Sequence, residues 1–67
     1  MTGDQRHALL LAARLMEAGL VPDAPPEPAV DGHVWQGLFI ASRLQSVLGV
    51  DGAAAAAPLL RDAARAA

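Results

Sequence analysis

The chain has no cysteine, no lysine and no tyrosine, and its only aromatics are one tryptophan and one phenylalanine. Each absence removes a class of explanation. Without cysteine there are no disulfides and no thiolate metal ligands. Without lysine, positive charge rests on five arginines against seven acids, and the net charge of −2 gives no field to attract nucleic acid. No apolar run approaches the ~20 residues of a membrane span. The segment Met1-Thr2-Gly3-Asp4-Gln5-Arg6-His7 does not read as a signal peptide. The apolar stretch after it carries Arg14 and Glu17 and lacks a cleavage-type ending. These features predict a cytoplasmic protein with neither nucleic acid nor membrane as partner.

What is present is small and rich in alanine. Hydrophobic residues make up 54% of 67 residues, yet 16 of them are alanine, which buries little surface. A chain under about 70 residues keeps only ~3–5 kcal/mol from its own core, and small proteins add disulfides, metals or partners. With disulfides excluded, a partner is the first expectation.

The expected fold is all-α: one small domain over 1–67, a two-helix hairpin with a Pro-rich extended linker and a short tail. The first helix is expected over 4–18. Thr2 or Asp4 caps it, Thr2-Gly3-Asp4-Gln5 fits a capping box, and Gly19 closes it in a Schellman stop with Leu20 folded back on Leu15. Leu9, Ala12, Leu15, Met16 and Gly19 share one face, with Arg6, His7, Arg14 and Glu17 opposite. Four prolines between Val21 and Ala29 forbid helix there. The linker 21–30 therefore reads as a stiff, polyproline-like spacer, and an SH3-type ligand lacks the usual flanking base.

The second helix is expected over 32–48, with Asp31 as N-cap and Gly49 as stop. Val34, Ile40, Ala41, Leu44, Val47 and Leu48 form its apolar face. Trp35 and Phe39 sit one turn apart on another side, with Ser42, Ser46 and Arg43. A helix with two such faces needs cover on both. In the tail, 51–67, the sequence leaves two readings open. Ala53–Ala57 makes one short turn or runs extended, and a last helix starts at Pro58.

Catalytic chemistry is missing from the pattern. His7 and His33 lie 26 positions apart with no ligand partner at metal spacing, and read as surface or capping histidines. Thr2, Ser42 and Ser46 have no histidine nearby in sequence. There is no Gly-rich phosphate loop. The Asp-Ser-Leu attachment motif of phosphopantetheine carriers is absent. No catalytic residue, cofactor or metal is therefore expected.

The order of features resembles a family. A helix ends in Ala18-Gly19-Leu20, and a proline stretch leads to Ala29-Val30-Asp31-Gly32-His33. A helix then ends in Leu44-Gln45-Ser46-Val47-Leu48, followed by Val50-Asp51 and Pro58-Leu59-Leu60-Arg61-Asp62. This is similar to the GatC-like small subunits of amidase complexes, including the AtzG-like subunit of a carboxybiuret hydrolase. The resemblance implies a non-catalytic subunit that wraps around an amidase-signature enzyme and stabilises it. The expected partner surface is Trp35, Phe39, Ser42 and Ser46, with Leu10 on the first helix and Pro58 and Leu59 in the tail. A self-assembling helical bundle is the alternative, and an antitoxin or adaptor is a third class.

Overall fold

The computed structural model describes residues 2–22 and 32–66. The expected linker over 21–30 falls mostly outside them, as does the expected cap at Asp31. The described residues form an all-α arrangement of two helices packed on one another, without strand: α1, Gly3–Glu17, and α2, Gly32–Ala66.

Local chemistry sets the ends of α1. The Thr2 hydroxyl accepts from the Gln5 amide at 3.2 Å, and Gln5 Oε1 accepts from the Thr2 amide at 2.9 Å. Two otherwise orphaned donors are satisfied reciprocally. At the other end the Leu20 amide donates to the Leu15 carbonyl at 3.0 Å, and the Gly19 amide to the Met16 carbonyl at 3.2 Å. That is the Schellman pairing, and it requires the left-handed φ of 72° that Gly19 adopts.

α2 is bent. Gly49 has φ 79° and ψ 166°, outside the helical region, so the helix divides into arms 32–48 and 50–66. The stop expected at Gly49 is there. Of the helical and extended alternatives for the tail, the structure has the helical one, but the helix runs from the bend onward and Pro58 lies inside it rather than at its start. A proline in a helix interior removes one bond to the carbonyl four residues back. The ring is on the exposed side, where water can serve that carbonyl.

Contacts show which way the helices run. His7 meets His33, Leu11 lies over Gly37, and the Leu20 carbonyl meets Gln45. α1 and the first arm therefore run in the same direction. The chain bends at Gly49, and the second arm packs against α1 through Ala53 and Ala57, with Arg61 paired to Glu17.

The buried apolar residues are nearly all alanine: Ala8, Ala12, Ala13, Ala41, Ala53, Ala57 and Ala64, with Met16 the one large side chain. Leu15, Ile40, Leu44, Ala56 and Leu60 pack around this cluster partly buried. Small residues let helices approach closely, and at Gly37 the approach leaves no room for a side chain. A Cβ there would stand 2.7 Å from Leu11 Cδ2 and 3.0 Å from Leu11 Cβ.

This close seam corrects the apolar face expected on the first arm. Val47 and Leu48 are 73% and 48% exposed, while Gln45 is buried. The arm turns toward α1 its smallest residues, Gly37 and Ala41, and Gln45 shares that side. Gln45 Nε2 donates to the Leu20 carbonyl at 2.8 Å and ties the end of α1 to the first arm. Gln45 Oε1 has no hydrogen-bond partner among the described residues.

Glu17 and Arg61 form a bidentate pair, with Nη2 donating to Oε1 at 2.6 Å and Nη1 to Oε2. The hydrogen bonds from Arg61 hold the Glu17 carboxyl below its ordinary value of 4.5, against a smaller opposing effect of desolvation. A lowered folded-state value means the contribution is present above the ordinary value and lost as pH falls through the lowered one. Both side chains are partly exposed, so the effect is modest and salt-screened.

Two outcomes follow from this packing. Gly37→Ala is expected to lower the melting temperature although alanine gains about 1 kcal/mol of helix propensity over glycine. A methyl forced onto Leu11 costs about 1–3 kcal/mol. Thermal unfolding followed by circular dichroism gives the sign, and a raised midpoint would mean that α1 moves off Gly37 without cost. Glu17→Gln is expected to melt slightly below wild type at neutral pH. That gap should close as pH falls below 4.5; a gap that widens in acid would show the pair to be irrelevant.

Candidate functional site

The two aromatics come together as their i, i+4 spacing dictates. The Trp35 and Phe39 rings stack with centroids 5.4 Å apart and planes 17° from parallel. Trp35 is half-buried and Phe39 is 44% exposed. Ser42 and Ser46 continue the stripe at helical spacing, the first half-buried and the second exposed. Phe39 also borders a groove between the helices, of about 440 Å³, with Gln5, Ala8, Leu9, Gln36 and Ile40.

The remaining residues of the expected partner surface lie elsewhere. Leu10 is half-buried in a second groove on α1, beside His7, Arg14, His33 and Val34. Pro58 and Leu59 are exposed on the second arm, Leu59 at 68%. They belong to a different helix arm from the aromatic stripe.

A further apolar surface surrounds the bend, and sequence patterning did not separate it from the core. Leu20, Val21, Val47, Leu48 and Val50 are all 40% exposed or more. They share one end of the molecule, because a Cβ on Gly19 would touch Val50 at 3.8 Å and Leu20 is tied to Gln45. The missed signal was the run of small residues at 37 and 41, which turns the larger ones outward.

The Thr2 hydroxyl is used as a cap. Ser42 lies nine residues beyond His33 on the same arm, about 13 Å along the axis. The histidines behave otherwise than their separation in sequence suggests. His7 and His33 meet edge-to-face with ring centroids 5.5 Å apart. Asp4 joins them, and one ligand atom from each of the three lies within 4.8 Å of the others.

Among the described residues, no helix is long and apolar enough to cross a membrane. No family model, no curated protein and no solved structure matches the chain.

Proposed function

We propose that this chain is a non-catalytic helical accessory subunit that docks on a larger protein through the Trp35–Phe39 stripe. The resemblance to GatC-like subunits makes an amidase-signature hydrolase the candidate partner. In this reading the partner supplies the catalytic residues and this chain supplies apolar cover.

The observation that supports it is the stacked aromatic pair on the flank of the alanine seam, with Phe39 open to solvent. A monomer of this size gains most by burying its large apolar residues first. Here seven of the eight buried apolar residues among those described are alanine, and seven large residues are substantially exposed. Stacked aromatics next to small serines form a surface another protein can approach closely, and aromatics dominate the energetics of such contacts.

Sedimentation of the chain with and without a co-expressed amidase-signature protein tests the proposal. The expected result is a complex in which Trp35→Ala or Phe39→Ala weakens association at least ~30-fold. That corresponds to a hot-spot loss of ~2 kcal/mol at ~1.4 kcal/mol per tenfold. Helix content should stay nearly constant. A chain that instead dimerises alone through the same residues supports the self-assembling bundle. If Trp35→Ala loses helix in step with association, the ring belongs to the chain's own packing.

A further inference from the structure

The two histidines and Asp4 have a use that the docking surface does not explain. Asp4 and His7 are i, i+3 neighbours on the first turns of α1, so their side chains project from one face. His33 is the second residue of α2 and reaches them from the other helix. The parallel run of α1 and the first arm makes this meeting possible; an antiparallel run would put His33 at the far end of α1.

We infer that Asp4, His7 and His33 form a binding site for a divalent transition-metal ion of the zinc type, which clips the start of α1 to the start of α2. Two imidazoles and a carboxylate are a donor set that zinc accepts. In a tetrahedral site with bonds of about 2.0–2.1 Å, neighbouring donors stand roughly 3.3 Å apart. The donor atoms here already lie within 4.8 Å of one another. Asp4 and His7 are exposed and His33 is half-buried, so small rotamer changes complete the approach and the ion has open access. No hydrogen bond or ion pair within the described residues occupies Asp4. Its carboxylate offsets the positive ends of the two helices, which would otherwise repel a cation. Three protein donors leave a fourth position for water or a group from a partner.

The clip answers a need of this fold. A cysteine-free chain with an alanine core has few ways to fix its helices together, and a bound metal is one that small proteins use. Binding only to the folded arrangement stabilises it by mass action. Joining residues 7 and 33 also closes a long loop, where a cross-link removes the most unfolded-state freedom.

The test uses the full, tag-free chain with zinc chloride as the probe. Calorimetric titration should show one saturable equivalent, and the melting temperature should rise with zinc. His7→Gln and His33→Gln should each weaken binding at least ~tenfold and abolish the shift, while metal-free helix content is unchanged. Cobalt(II) in place of zinc should give a d–d absorption band that His33→Gln removes, a readout that survives if a variant is less stable. Absence of a saturable equivalent overturns the inference. So does binding that His33→Gln leaves intact, because the ion would then be held by α1 alone and would clip nothing.

Discussion

The distance between α1 and α2 is set by residues with almost no side chain. Gly37 admits Leu11 where a methyl would collide, and most of the fully buried apolar residues are alanine. Close approach gives good packing per atom but buries little apolar area per residue. At about 0.8 kcal/mol per buried carbon, seven alanines contribute about 6 kcal/mol, comparable to two or three buried leucines. The large residues are consequently on the flanks and at the bend: Phe39, Val47, Leu48, Val50, Leu20, Val21 and Leu59. A thin interior and an apolar exterior have one cause, and the docking proposal rests on it.

Specific polar ties compensate for that thin seam at the ends of the helices. Gln45 holds the Leu20 carbonyl where α1 finishes, and Arg61 holds Glu17 across the second arm. Both lie toward the C-terminal end of α1. The opposite end has the Asp4, His7 and His33 grouping. A metal there would complete a set of ties at both ends of a seam that apolar burial holds weakly.

Local features of the sequence were legible because their physics is local. The Thr2–Gln5 box, the Gly19 turn, the break at Gly49 and the Trp35–Phe39 stack each depend on residues within one or two turns. Features set by packing were not. Hydropathy ranks residues by size and placed Val47 and Leu48 in the interior, whereas packing selected Gly37, Ala41 and even Gln45. Pro58 reads as a start signal, yet the helix that begins at the bend passes through it. The meeting of His7 and His33 depends on the direction in which two helices run, and no spacing within either helix encodes that. The GatC-like resemblance supplied a partner class but gave no indication of the histidine grouping.

The central claim is that this fold is too thinly cored to be self-sufficient. Chemical denaturation of the isolated, metal-free chain at two protein concentrations tests it most directly. The account predicts an unfolding free energy of no more than ~5 kcal/mol, or a midpoint that rises with concentration because copies cover one another's apolar flanks. A monomer whose stability is well above that value and independent of concentration would contradict it.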